Sequence, residues 1–428
     1  MKIRKILLSL TLSGAMVLGL MPGMSMTAQA DESETSYILT IPAALTVTDS
    51  GWNATDGVRA TGSLASGKKL TVTASSGDEF ALVNQNDNTQ KVGYKLATTS
   101  ADTEAATLWE FTELSSNVTA MPMGIIVEDY SSKPAGTYQD TVTFTAKVEN
   151  SGVDLSKLTD NYEAKNGDVL TGTLSNATYN ITIADGATVT LKDVNITRTS
   201  TEQFAGITPL GDATIVLEGD NSVTGGKLSA GITSAIGKTL TIKGTGTLTV
   251  TSNGQYGLPG AGIGSNYGAE CGNIIIESGT INATGKYSSP GIGATNNGKC
   301  GNIEIKGGTV IATGGEGSAG IGTGVAGSNM SCQCGDITIS GGTITATGAT
   351  YGTGIGTGKT YSDSSTNICG DITITNAVKK VTAIKGNNSK NSIGVGGGEY
   401  GGTHSCGTIT IGGNVTGNIT DSPYTYQP

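Results

Sequence analysis

"CGNIEIKGGTVIATG", residues 300–314, sets two apolar–polar alternations on either side of a glycine pair, behind a Cys-Gly start. Near copies begin at Cys271 (CGNIIIESGTINATG), Cys334 (CGDITISGGTITATG) and, less regularly, Cys369 (CGDITITNAVKKVTA). A period-two alternation marks a strand with one buried face, and its repeated recurrence along the chain marks a solenoid. Aligned on the first strand of each unit, the pattern extends to TVTLKD at Thr188, TIVLEG at Thr214, TLTIKG at Thr239, NIIIES at Asn273, NIEIKG at Asn302, DITISG at Asp336, DITITN at Asp371 and TITIGG at Thr408. The intervals are 26, 25, 34, 29, 34, 35 and 37 residues, which match no strict period but keep one strand order. A second strand follows the middle copies (GTLTVTS, GTINATG, GTVIATG, GTITATG), and then an AGI or GIG element. Three short strands per unit with glycine corners predict coils of a right-handed parallel β-helix over residues 167–422. A leucine-rich solenoid would need its Leu/Asn signature, and a β-propeller four strands per blade.

In such a fold equivalent residues stack at about 4.8 Å. Ile303, Ile305, Val310, Ala312 and Ile321 are expected to point inward. Cys271, Cys300, Cys334, Cys369 and Cys406 form one expected row beside a corner, where a small apolar side chain fits. The row is read as buried free thiols; disulfides between coils and a metal site stay open as alternatives.

Outside the repeat, the chain starts MKIRKILLSLTLSGAMVLGLMPGMSMTAQA, a basic start, an apolar run and an A-x-A site. This predicts a signal peptide over residues 1–30 rather than a membrane anchor, since Pro22 and Gly23 break the run. The chain is thus expected to be secreted or held at the cell surface without a covalent anchor, and not inserted in the membrane once the signal is cleaved. Losing the three cations Lys2, Arg4 and Lys5 takes the net charge from -10 to -13. An acidic chain without a basic cluster is a poor partner for nucleic acid. Residues 36–148 carry no repeat, contain both Trp52 and Trp109, and alternate in runs such as KKLTVTAS. They predict an antiparallel β-sandwich, joined by a linker over residues 149–166. The fold class is therefore all-β.

Catalytic patterns are missing. A hydrolase needs close paired carboxylates, and a lyase of this architecture a calcium site with an Arg or Lys base. Arg198 is the one arginine of the repeat region. The charges just after the first strands, Lys192, Glu218, Lys243, Glu277 and Lys306, alternate in sign and are expected to form a salt-bridge ladder. Asp336 and Asp371 follow Asn273 and Asn302 in one column; a turn ladder of side-chain to backbone hydrogen bonds is the plain reading, a calcium site the sharper one. His404 has no partner motif, and Cys332-Gln-Cys334 stands alone without a second pair. No catalytic residue is assigned.

Two outward features favour binding. The second strands display Thr247, Thr249 and Thr251, then Thr280, Asn282 and Thr284, then Thr309, Ile311 and Thr313, then Thr343, Thr345 and Thr347, a flat hydroxyl and methyl face. Tyr256, Tyr287 and Tyr351 recur before the GIG elements, where an exposed ring can stack on a sugar. Ordinary strand propensity on a solvated wall and loop decoration explain both features equally well.

The segments GDNSVTGG and KTLTIKGTGTLTVTS resemble the secreted clostridial carbohydrate-binding β-helix family over roughly residues 167–350. PAGTYQDTVTFTAKV likewise resembles the closing strands of secreted pilin-like sandwiches. The first resemblance implies a pectate-lyase-like architecture without its catalytic groups, and calcium-associated binding of plant-wall polysaccharide; no calcium ligand carries over residue by residue. The expectation is a non-catalytic binder of polysaccharide or glycoprotein glycans, or an adhesin. A structural or host-protein-binding surface antigen, a polysaccharide lyase and an ice-binding protein are the competing readings.

Overall fold

A computed structural model describes residues 4–10, 26–29, 35–42, 44–47, 50–64, 68–175, 179–198, 204–253, 260–398 and 401–428. The chain is all-β and divides into two compact units, residues 1–151 and 152–428.

The first unit is built from twisted, mostly antiparallel sheets. Thr141–Asn150 pairs with Lys68–Ser76, which pairs in turn with Leu108–Phe111. The alternation predicted from sequence is real: Val142, Phe144 and Ala146 are buried while their neighbours face outward. Trp109, Phe111, Phe144, Leu70 and Tyr138 fill the core, and the Trp109 indole N–H finds the Pro122 carbonyl at 3.0 Å. Asp140 is buried but satisfied, accepting from the hydroxyls of Tyr94 and Ser76 at 2.6 Å each. Burial pushes the Tyr94 phenol well above its ordinary range. Two described strands, Arg4–Leu10 and Met26–Gln29, lie within the stretch expected to be a signal peptide. Arg4–Leu10 pairs with both Thr141–Asn150 and Ala44–Val47; the rest of 1–30 lies outside the described residues.

The second unit is the parallel β-helix. Successive first strands pair in parallel and in register: Ile274, Ile303, Ile337, Ile372 and Ile409 form one column, and Ile276, Ile305, Ile339, Ile374 and Ile411 the next. Second strands do the same, stacking Ile281, Val310, Ile344 and Val381. Nearly all these side chains are wholly buried, so each coil covers the apolar face of its neighbour. The third element is a sheet of Ile-Gly steps running from Ile263–Gly264 to Ile393–Gly394.

Three features differ from the sequence expectation. The stretch 149–166, expected as a linker, is mostly structured: Val153–Asp154 and Tyr162–Ala164 pair in parallel with later strands, and Leu155 and Ala164 are fully buried in the solenoid core. The regular coils also carry a fourth strand, since Lys299–Cys300, Ser331–Cys334, Thr366–Cys369 and Thr403–Cys406 form their own sheet. Finally, Thr214 pairs with Thr241, not with Thr239. A slip of two residues keeps every side chain on its face, so alternation alone is blind to it. The slip sets Lys243 opposite Val216 and breaks the expected charge ladder after the Lys192–Glu218 pair at 3.8 Å. Lys306 is paired instead with Glu304 of its own coil at 3.3 Å.

The C-terminal end closes with a change of direction. Asn414–Thr416 and Tyr424–Tyr426 run antiparallel to the last coils, and Tyr424 and Tyr426 pack on the core. Such a cap covers an edge on which further strands could otherwise add.

Candidate functional site

The second strands bring the predicted threonines into one array. Thr247, Thr280, Thr309 and Thr343 are register partners in succession, as are Thr251, Thr284, Thr313 and Thr347. Between these columns runs a mixed one of Thr249, Asn282, Ile311 and Thr345. The inward residues of the same strands, such as Ile281, Ala283, Val310 and Ala312, are buried, which forces the threonines outward. Columns are about 7 Å apart along the strand and rows about 4.8 Å apart across it. Every member is at least partly exposed, and Ile311 at 43% is an open apolar patch in the middle of the hydroxyls. The face continues to Ser222 and Thr224 on one side and Thr382 on the other, residues whose repeats are too irregular for sequence alignment to include.

Among the described residues the tyrosines do not form a comparable row. Tyr256 lies outside the described residues. Tyr287 and Tyr351 both sit on the turn after the second strand, but Tyr287 is three residues past Thr284 and Tyr351 four past Thr347. Both take positive φ, at 49° and 69°, and in the coil between them the matching turn residue is Gly317 at 77°. Tyr287 is 47% exposed and borders the Thr251–Thr347 column. Tyr351 is engaged: the Lys359 ammonium lies 4.7 Å from its ring centroid and 4.4 Å from that of Tyr361. This Tyr–Lys–Tyr sandwich was not legible in the sequence, because Tyr351 and Lys359 meet only after the chain turns through the Ile-Gly strand.

Asp336 and Asp371 stand in a ladder of backbone hydrogen bonds. The Asn302 N–H donates to the Asn273 side-chain oxygen, the Asp336 N–H to that of Asn302, and the Asp371 N–H to the Asp336 carboxylate, each at 2.9 Å. Thr408 N–H closes the series on Asp371 at 2.6 Å. Among the described residues no three His, Cys, Asp or Glu side chains gather as a metal site would require, so the carboxylate set of a calcium cage is not assembled there. Arg198 is 1% exposed and donates to the Tyr179 and Gly206 carbonyls; a cation held inside in this way is not placed to serve as a surface base.

The cysteine row is a true column. Cys300, Cys334, Cys369 and Cys406 are register partners, and Cys271 is joined to Cys300 by a disulfide with Cα atoms 4.6 Å apart. The favoured expectation of free thiols throughout is therefore corrected at this pair. Cys334 and Cys369 are buried free thiols and Cys406 is half-exposed. A second interior column, Cys332–Asn367–His404, runs two residues away. It gathers the residue types of a thiol protease without the geometry, because Asn367 separates the other two. The Cys332 thiol donates to the Thr295 carbonyl at 2.9 Å and is pushed up to about 12 by burial, so it is no nucleophile at neutral pH.

His404 has ring nitrogens 3.4 Å from the Thr357 hydroxyl and 3.0 Å from that of Thr360. Burial holds its imidazole below the ordinary histidine range. The unfolded chain, titrating near pH ~6.5, then takes up a proton before the folded one does. Its neutral form thus favours folding above about pH 6.5, and that contribution is lost as the pH falls toward the folded value. The melting temperature is expected to drop more between pH 7.5 and pH 5 in the parent than in His404→Gln, measured by circular dichroism.

No protein-family model matches this chain, and neither a curated protein nor a solved structure shows significant similarity to it.

Proposed function

We propose that this chain is an exported, non-catalytic polysaccharide-binding protein that uses the threonine face as its platform and Tyr287 as an aromatic edge. The observation that carries the reading is the register itself: hydroxyls repeat in two dimensions over four coils, with an exposed Ile311 among them. A flat regular array of donors, acceptors and methyl groups complements the alternating hydroxyl and C–H faces of an extended glycan. The resemblance to the clostridial carbohydrate-binding family points the same way. A calcium requirement, which that family implies, finds no support in Asp336 and Asp371.

The test is affinity electrophoresis in gels containing plant-wall or mucin polysaccharides. The parent is expected to be retarded by at least one polymer, more strongly as its length grows, since weak sites on neighbouring rows act together. The variant Thr284→Val/Thr313→Val/Thr347→Val keeps the β-branched shape and strand preference but removes three hydroxyls. At about 0.5–1.5 kcal/mol per hydrogen bond, it should bind at least tenfold more weakly. Tyr287→Ala should cost about 1 kcal/mol. Equal retardation of parent and variants by a polymer that binds would place the site elsewhere. A parent retarded by none would favour the surface-antigen reading.

A further inference from the structure

The cysteine column has an odd arithmetic. Of its five members, Cys271 and Cys300 are already joined, and Cys334, Cys369 and Cys406 remain as thiols. Cys369 is the register partner of Cys334 on one side and of Cys406 on the other. The same column shows that neighbouring coils bring two cysteines within bonding reach, since Cys271 and Cys300 stand at a Cα separation of 4.6 Å, inside the range a disulfide needs. Access separates the three thiols. Cys334 and Cys369 are 5% and 2% exposed, and only Cys406, at the C-terminal end of the column, is half-exposed.

We propose that Cys406 is a thiol-modification site through which low-molecular-weight disulfides oxidise the column, with Cys369 as the resolving thiol. The Cys406 thiolate attacks one sulfur of a small disulfide RSSR, forming Cys406–S–S–R and expelling RS⁻, which takes up a proton. The Cys369 thiolate then attacks the Cys406 sulfur, forming the Cys369–Cys406 bond and expelling the second RS⁻. Two protein thiols are oxidised, one small disulfide is reduced to two thiols, and the protons of both cysteines leave with RSH. Cys334 is left without a column partner, because Cys369 is consumed and the other register neighbour of Cys334, Cys300, is already bonded. Cys369 lies between two sulfurs and is buried, which pushes its thiol up; it is therefore a poor first nucleophile and acts once a bonded sulfur is delivered beside it. An exported chain would meet such disulfides outside the cell.

The test uses the native full-length chain and glutathione disulfide, with timed acid quenching, alkylation and peptide mapping. Trypsin places Cys334 (together with Cys332), Cys369 and Cys406 on three different peptides, 307–359, 360–379 and 391–428, and fragmentation of the first assigns its label to Cys332 or Cys334. In the parent, peptide 391–428 should lose its thiol first, carry glutathione only transiently, and then appear joined to 360–379. In Cys369→Ser the glutathione adduct on 391–428 should persist. In Cys406→Ser, loss of the Cys369 thiol should slow at least tenfold. A lasting adduct in the parent would overturn the resolving role. Oxidation of Cys334 or Cys369 at parental rate without Cys406, or ahead of it in the parent itself, would overturn Cys406 as the entry point.

Discussion

Gly322→Ala is expected to lower the unfolding free energy by about 2–6 kcal/mol. Gly322 sits at φ 130°, in a column with Gly264, Gly293, Gly356 and Gly394, all at φ between 116° and 141°. A Cβ there would overlap the Gly356 carbonyl oxygen of the next coil. That atom is backbone in a parallel ladder and cannot swing aside as a side chain does. Positive φ costs an alanine about 1–3 kcal/mol, and overpacking adds about 1–3 kcal/mol more. Gly413 separates the two terms: it has φ 83° with nothing near its would-be Cβ, so Gly413→Ala should pay only the first. Urea unfolding of both variants measures this directly. Equal losses at the two sites would show that stacking of the Ile-Gly sheet does not demand glycine.

Ile305→Ala is the second large effect, expected at about 2–5 kcal/mol. Ile305 is wholly buried between Ile276 and Ile339 in its column. Neighbouring coils are fixed by their backbone ladders at about 4.8 Å and cannot close over the hole. The cavity therefore keeps most of its cost, whereas a loosely held site would relax. In a solenoid each coil contacts only its neighbours, so the damage should be local: hydrogen exchange should rise in residues 273–339 before it rises near Thr188. Uniform loosening of the whole unit would instead mean that the coils unfold as one block. Both effects concern the scaffold, and their size reflects how little the scaffold can move beneath the threonine face.

How far the sequence reached is clearest at the second strands. The alternation in GTVIATG told which residues face inward, and Val310 and Ala312 are buried while Thr309 and Thr313 are outside. The threonine face was legible for the same reason, since it is the complement of the buried face. The Asn273–Asn302–Asp336–Asp371 ladder was also readable, because short polar side chains before a strand start have one local job.

By itself, then, the sequence determined the first and second strands of the regular coils and which way their side chains face, because both depend on a period of two along a local stretch. Beyond the cysteine column and the Asn/Asp ladder, only the tertiary structure decided what lies beside what across coils. The two-residue slip at Thr214–Thr241 is invisible to alternation. The fourth strand hides in loops of varying length. Lys359 reaches Tyr351 and Tyr361, and Cys271 is bonded to Cys300 while Cys406 is left half-exposed. These depend on register and on the path of each corner, which ladder hydrogen bonds and close glycine contacts between coils set, and no single repeat contains that information.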